Sequence, residues 1–96
     1  MIEIYSTDKF DCWFSGLRDK QAQKRIQVRI DRAAAGNFGD CKPVGEGVSE
    51  MRIHYGAGYR LYFIQRGLDV IVLLAGGDKS TQQKDIQTAL TLAHEL

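Results

Sequence analysis

Apolar and polar positions in the N-terminal part of the chain follow first a period of two and then a helical period. The opening residues, MIEIY, alternate and predict a short strand. From Phe10 onward, apolar side chains recur at helical spacing, which predicts a helix capped by one of the polar residues 6–8. A second apolar stripe, beginning at Ala22, predicts a helix over residues 18–37 that stops near Gly36. Because only GLRD separates the two patterns, we expect a helical hairpin.

The pattern changes after the second helix. Residues 38–48, FGDCKPVGEGV, are rich in glycine, contain the only proline and predict a loop. Three strand-like segments follow: SEMRIHY, GYRLYFIQR and DVIVLLAG. The third has an apolar run at its centre, as expected for a strand that is buried on both faces. Because the links GAG and GL are short, we expect an antiparallel meander.

The last stretch, GGDKSTQQKDIQTALTLAHEL, predicts a C-terminal helix. Ser80 and Gln83 fit a capping box, and Gly76 and Gly77 are interpreted as the point where the chain turns from strand to helix. The predicted order is an N-terminal strand, the helical hairpin, the three-strand meander and the final helix. This order predicts an α+β fold and one domain over residues 1–96.

Composition narrows the function classes. The chain has 96 residues, 44% hydrophobic and 26% charged, and its formal net charge is only +1. Any contact with nucleic acid must therefore come from local clustering of positive charge. Cys12 and Cys41 are predicted to be reduced thiols in a cytoplasmic protein. The longest apolar run, VIVLLA, has the length of a strand, so we predict a soluble protein without a membrane partner.

Polar residues alternate along the first two strands of the meander. If residues 56–58 form a three-residue loop, the alternation sets the pairing, because a slip of one residue would turn polar side chains into the apolar face. The predicted cross-strand pairs are Tyr55 with Tyr59, His54 with Arg60, and Arg52 with Tyr62. Four functional side chains would then share a small patch of the sheet.

The end of the third strand is expected beside Arg60, which brings Lys79 and the N-terminus of the last helix to the same patch. Two interpretations compete. The residues are either an ordinary solvated sheet face or a phosphate-recognition site, because arginine forks bind phosphate oxygens in a bidentate manner. In the second case His54, between two cationic neighbours, is a candidate base that stays neutral.

The histidines and cysteines show no ligand spacing, so we predict no metal and no cofactor. The segment GGDKS lacks the spacing of a nucleotide-binding P-loop.

Three blocks of the sequence together resemble a known family: RIQVRIDRAAAGNFGD, KPVGEGVSEMRIHYGAGYRLYF and LLAGGDKSTQQKDIQTA. On these blocks the chain resembles the RelE/ParE toxin superfamily of bacterial type II toxin–antitoxin modules, in particular its HigB-like addiction module killer proteins. The resemblance implies a small α+β fold with an antiparallel sheet. It also implies a metal-independent endoribonuclease, an mRNA interferase that acts on the ribosome and inhibits translation.

The resemblance assigns catalytic roles within the basic patch. Arg60 in GYRLYF matches the phosphate-contacting arginine, and Lys79 in GGDK stands where relatives carry an arginine. Arg52 and His54 match basic positions on the preceding strand. As a hypothesis, His54 takes the proton of the RNA 2′-hydroxyl while the cationic side chains stabilise the phosphorane. Tyr62, or His54 itself, then protonates the 5′-oxygen, giving a 2′,3′-cyclic phosphate and a 5′-hydroxyl.

Partners and alternative functions complete the expectations. Candidate RNA-binding residues outside the catalytic patch are Lys42, Arg25, Arg29 and Gln82. The basic segment 18–32 is either a solvated helix face or a surface for ribosomal RNA or an acidic antitoxin segment. The resemblance implies mRNA, the ribosome and a cognate antitoxin, commonly a helix-turn-helix protein, as partners. Two alternatives stay open: a ParE-like gyrase poison without nuclease activity, and a degenerate module that only binds its antitoxin as a corepressor.

Overall fold

A computed structural model describes residues 1–96 and has the predicted α+β class. In chain order, the elements are β1 (Glu3–Ser6), α1 (Asp8–Ser15), α2 (Lys20–Ala34), β2 (Cys41–Gly45), β3 (Val48–Ile53), β4 (Tyr59–Arg66), β5 (Val70–Gly77), a 3-10 turn (Lys79–Thr81) and α3 (Gln82–His94). The five strands form one mixed sheet in the order β1-β5-β4-β3-β2. None of the helices is long and apolar enough to cross a membrane.

Local side-chain chemistry sets the ends of the first two helices. The hydroxyl of Thr7 accepts the backbone N–H of Phe10, so Thr7 is the N-cap of α1. The carboxylate of Asp19 accepts the N–H groups at the start of α2. Helix α2 ends at Ala34, and Gly36 follows in the left-handed region with φ of 92°. Both predicted helices are confirmed, although each is shorter than its sequence pattern suggested.

The segment predicted to be a loop, residues 38–48, contains strand β2, so that prediction is wrong. Cys41–Gly45 pairs with β3 at the edge of the sheet, with an irregularity between Pro43 and Gly45. A proline has no N–H to donate and is tolerated where a strand has a neighbour on one side only. The proline and glycines that suggested a loop are therefore features of an edge strand.

The meander of β3, β4 and β5 is confirmed, but its register differs from the predicted one. Arg52 pairs with Arg60 and Glu50 pairs with Tyr62, a displacement of two residues. The reason is that β3 ends at Ile53, so the connection is five residues long rather than three. A displacement of two leaves every side chain on its predicted face, which is why alternation could not reveal it.

Helices cover both faces of the sheet. The face toward α1 and α2 carries the larger core, built around Leu61 and Phe63 of β4 and Ile26 of α2. The opposite face packs Tyr62 and its neighbours against α3. Strand β5 contributes to both cores, as its apolar run predicted. Even-numbered residues of β3 and β4 therefore point toward α3, and this face carries Arg52 and Arg60 beyond the end of the helix.

Gly76 and Gly77 do not turn the chain, contrary to the prediction, because both belong to β5. A Cβ atom at Gly76 would lie 2.2 Å from the ring of Trp13, and one at Gly77 would meet the carboxylate of Asp85. The two glycines thus allow α1 and α3 to approach the strand closely.

The predicted capping box of Ser80 and Gln83 is not formed. The carboxylate of Asp78 instead accepts hydrogen bonds from the N–H and the hydroxyl of Ser80, which starts the 3-10 turn. Helix α3 begins after that turn, at Gln82, without a side-chain cap.

Candidate functional site

A cleft of about 540 Å³ opens where β3 ends and β4 begins. Its walls are the ends of the two strands, the connection between them and Lys79, the first residue of the 3-10 turn. The lining residues that carry charge or a titratable ring are Arg52, His54, Tyr55, Tyr59, Arg60 and Lys79. The structure therefore brings together four of the five predicted catalytic residues and separates only Tyr62 from them.

The two arginines of the cleft face each other directly across the strands. Arg52 pairs with Arg60, so their Cβ atoms belong to opposite positions on the same face. Each guanidinium also has a buried Nε that makes no hydrogen bond. Like charges in directly opposed positions destabilise a sheet, and unpaired buried donors add to that cost. An anion between the two guanidinium groups would offset the repulsion between them.

Asp40, which lies just before β2, contacts two of the residues that line the cleft. Its carboxylate accepts a hydrogen bond from Nη2 of Arg52 at 3.1 Å and contacts Nε2 of His54 at 2.5 Å. The hydrogen bonds from His54 and then Arg52 hold the pKa of this carboxyl below its usual value of 3.8. Sequence reasoning placed His54 between two cations, but its nearest charged neighbour is this carboxylate. The imidazole itself is 74% exposed.

The connection between β3 and β4 accepts hydrogen bonds from the guanidinium of Arg60 and from the backbone of Lys79. Nη1 of Arg60 donates to the carbonyl of Gly58 at 2.9 Å, and the backbone N–H of Lys79 donates to the carbonyl of Ala57 at 3.3 Å. Gly58 has φ of 75°, and a Cβ there would lie 3.4 Å from Cβ of Lys79. The glycine therefore lets the connection pass close to Lys79, whose side chain is exposed at the rim. The N–H of Ser80 is taken by Asp78, so the predicted free helix terminus is partly occupied.

Tyr62 and Gln82 lie beneath the cleft rather than in it. Tyr62 is completely buried, and its hydroxyl donates to Oε2 of Glu50 at 3.1 Å. Burial, together with the Glu50 carboxylate, raises the pKa of this hydroxyl well above its ordinary value of 10.0. Nε2 of Gln82 donates to the same oxygen at 2.9 Å. Neither side chain is positioned to touch a molecule in the cleft.

A second groove, of about 430 Å³, runs along α2 and meets the cleft at His54 and Tyr55. Its cationic lining residues are Lys24, Arg25, Arg29 and Arg32. The guanidinium of Arg25 lies over the ring of Tyr55, 4.6 Å from its centroid. The groove carries no acidic side chain among its lining residues, so it extends the positive charge of the cleft.

Two of the predicted RNA-binding residues have different surroundings from Arg25. Arg29 is half-buried, and its guanidinium donates to the carbonyls of Arg52 at 2.6 Å and Phe38 at 3.2 Å. It therefore ties α2 to the segment before β2. Lys42 is exposed on the edge strand, opposite Glu50 in the register of β2 and β3. It lines neither the cleft nor the groove along α2.

Sequence reasoning did not identify Asp40 or Glu50. Asp40 was assigned to a loop, and only the recognition of β2 would have placed it beside Arg52. Glu50 alternates with Met51 and so shares the face of Arg52, which is a signal that the sequence does contain. Its burial depends on where α3 packs, and the strand pattern carries no information about that.

Comparison with known proteins identifies the family. A family model described as "Phage derived protein Gp49-like" matches residues 13–96, so the chain belongs to the Gp49-like phage-derived protein family. The expected membership of the RelE/ParE superfamily is therefore wrong. The Gp49-like family is associated with toxin–antitoxin addiction modules, so the predicted toxin class holds at this coarser level.

A protein of Haemophilus influenzae is similar along almost the whole chain. It is 48% identical over 95 residues, which cover 99% of this chain and 96% of the relative. Its name is "Uncharacterized protein", so it extends the family but assigns no activity.

Proposed function

We propose that the protein is the toxin of a toxin–antitoxin module and acts as a metal-independent endoribonuclease on mRNA. The observation that carries this proposal is the direct opposition of Arg52 and Arg60 in a cleft that also contains His54 and Lys79. Two guanidinium groups and an ammonium suit a phosphodiester and the more negative phosphorane derived from it. An imidazole at the same place suits proton transfer near neutral pH.

The reaction begins with the 2′-hydroxyl next to the bound phosphate. A neutral His54 that donates its Nε2–H to Asp40 keeps the lone pair on Nδ1, which accepts the 2′-hydroxyl proton. The 2′-oxygen then attacks phosphorus, while Arg52 and Arg60 stabilise the charge that accumulates on the phosphoryl oxygens. The bond from phosphorus to the 5′-oxygen breaks, leaving a 2′,3′-cyclic phosphate.

The departing 5′-oxygen needs a proton. The hydroxyl of Tyr62 is buried and already donates to Glu50, so we assign this step to the exposed ammonium of Lys79. Lys79 gives up one proton as His54 gains one, and the two groups exchange their protons with water after the products leave.

We propose that the RNA continues from the cleft into the groove along α2. The two concave surfaces share His54 and Tyr55, so they are adjacent at these two residues. Arg25, stacked on Tyr55, is the first cation that the RNA would meet. Lys42 and Gln82, which line neither surface, are less suited to bind this RNA, and Lys42 remains available to ribosomal RNA.

A cognate antitoxin is the expected protein partner, because the family is associated with addiction modules. The segment 18–32 holds six lysines and arginines against two aspartates, so an acidic antitoxin segment is a suitable ligand for α2. We propose that the antitoxin and RNA compete for the groove along α2.

The test is induced expression in bacteria, followed by mapping of 5′ ends on cellular mRNA. Wild type should arrest growth and create new 5′-hydroxyl ends within translated codons. Arg60→Ala should lose cleavage by about 10²- to 10³-fold, the usual cost of removing one group that stabilises a transition-state anion. Arg66→Ala is the matched control, because it removes the same side chain from the exposed far end of the same strand.

Growth arrest with intact mRNA would overturn the nuclease proposal and direct attention to gyrase-dependent DNA breaks. Equal cleavage by the Arg60 and Arg66 variants would show that the cleft is not the site. Purified protein that needs a divalent cation, tested with a chelator, would contradict the metal-independent mechanism.

A further inference from the structure

Glu50 is the one charged residue that the fold buries completely, with 0% of its surface exposed. Its Oε2 accepts hydrogen bonds from Tyr62 and Gln82 and lies 3.6 Å from Nε of Arg60. Its Oε1 makes no hydrogen bond. The carboxylate therefore sits directly behind the Arg60 side chain, on the side away from the opening of the cleft.

We propose that Glu50 is a positioning residue that fixes the guanidinium of Arg60 in the orientation that binds the scissile phosphate. The proposal rests on the ribonuclease function above. Arg60 is held at two points: Nε lies against Glu50, and Nη1 donates to the carbonyl of Gly58. Nη2 takes part in neither contact, which leaves it for a ligand. The side chain is only 13% exposed, so these two contacts leave it little freedom.

A contribution to stability alone is a weak explanation for a charged carboxylate at this position. A buried ion pair rarely gains more than the desolvation of its charges costs, and an apolar side chain of similar size would usually serve the fold as well. One oxygen of Glu50 is even left without a partner, which adds to the cost. The charge is explained if it orients Arg60, because a guanidinium aligned before the substrate binds loses less entropy on binding.

The same carboxylate connects Arg60 to α3. Gln82 is the first residue of that helix, and its amide donates to the oxygen that faces Arg60. The carboxylate of Glu50 therefore contacts both the first turn of α3 and Arg60 in the cleft. Gln82, predicted to bind RNA, acts in this proposal as a support for Glu50.

Glu50→Gln separates the positioning role from a simple electrostatic one, because the two roles predict different changes in kcat. The substitution keeps the shape of the side chain but removes a negative charge next to the cleft. If Glu50 acted only through its charge, the variant would bind RNA more tightly and cleave it at least as fast. The positioning role predicts that kcat falls on the order of 10²-fold, while KM is unchanged or lower.

Glu46→Gln is the matched control, since it removes the same charge from an exposed turn. Its kcat and KM should equal those of wild type. An unchanged kcat for Glu50→Gln would overturn the proposal. If that variant does not fold, the half-exposed Gln82 offers a second test, because Gln82→Ala removes one of the hydrogen bonds that hold the Glu50 carboxylate. This variant should lower kcat severalfold, and a wild-type kcat for Gln82→Ala would also overturn the proposal.

A second measurement does not depend on RNA cleavage. The Nε–H of Arg60 should give a resolved, slowly exchanging NMR signal in wild type and in Glu46→Gln. In Glu50→Gln the signal should broaden or exchange rapidly, because the guanidinium is no longer held. An unchanged signal overturns the positioning role whether or not the protein cleaves RNA. If Glu50→Gln loses the signal but the wild-type protein does not cleave RNA, the ribonuclease function is refuted while the anchoring of Arg60 stands.

Discussion

Arg29 and Arg25 lie one helical turn apart on α2, and both were expected to bind RNA, yet the structure gives them different energetic roles. We predict that Arg29→Ala unfolds the protein far more readily than Arg25→Ala. Arg29 donates to the carbonyls of Arg52 and Phe38, and its Nη2 also reaches the carbonyl of Asp40 at 3.5 Å. The chain folds closely around it, since a Cβ at Gly39 would lie 2.9 Å from the same nitrogen.

The expected loss of stability in Arg29→Ala follows from these contacts. A hydrogen bond from a charged donor contributes about 1.5–3 kcal/mol, and the carbonyls left behind are partly buried. Water replaces part of the loss, so we expect Arg29→Ala to cost about 2–3 kcal/mol in total. Arg25 makes only a cation–π contact with Tyr55, which contributes about 0.5–1 kcal/mol at an exposed site. For a chain of this size, the first substitution should lower Tm by roughly 10–20 °C.

Urea denaturation followed by circular dichroism measures both costs under one condition. The midpoint should fall strongly for Arg29→Ala and little for Arg25→Ala, with the same slope of free energy against urea for both variants. Arg29→Lys keeps the charge but loses the planar fork, so it should be almost as unstable as the alanine variant. Equal midpoints for the two alanine variants would refute the reasoning, because the carbonyl contacts would then contribute nothing beyond surface charge.

Three further predictions concern packing at Gly76, the loss of stability at low pH through Asp40, and the proposed base His54. Gly76→Ala should cost about 1–3 kcal/mol in thermal unfolding and change the fluorescence of Trp13, whose ring lies 2.2 Å from the added methyl group. The Asp40 carboxyl should titrate below 3.8 by NMR. Because its folded pKa is lowered, its stabilising contribution is present above about pH 4 and is lost as the pH falls through the folded value, so Asp40→Asn should remove that loss. His54→Ala should slow cleavage by about 10²- to 10⁴-fold without weakening the binding of an RNA that carries a 2′-deoxy substitution at the cleavage site.

The elements that the sequence predicted well are those whose signal is local. The three helices and the strands of the meander carry apolar patterns within their own segments, and the structure has each of these elements. Strand β2 (Cys41–Gly45) was missed because its composition is that of a turn, and its strand geometry comes from pairing with β3. The register was wrong by two because the length of a connection is not encoded in alternation. Both errors concern how one segment pairs with another, which the pattern of a single segment does not determine.

The site shows the same division. The cations of the cleft were predictable, because alternation fixed their face and the meander brought Lys79 beside Arg60. The carboxylates that hold them were not. Asp40 reaches Arg52 only through the unpredicted strand, and Glu50 is buried only because α3 packs over it. The identity and face of the cationic side chains were therefore encoded locally, whereas their orientation depends on long-range packing.

The two carboxylates also set the net charge of the cleft in the proposed mechanism. Arg52, Arg60 and Lys79 carry three positive charges, and Asp40 and Glu50 carry two negative ones, so one positive charge remains while His54 is neutral. That charge matches a phosphodiester, which carries a single negative charge. In the proposed mechanism, the cleft gains a second positive charge when His54 accepts the 2′-hydroxyl proton, as the phosphorane acquires its second negative one. The site is then more complementary to the transition state than to the substrate, and this difference is what accelerates a reaction.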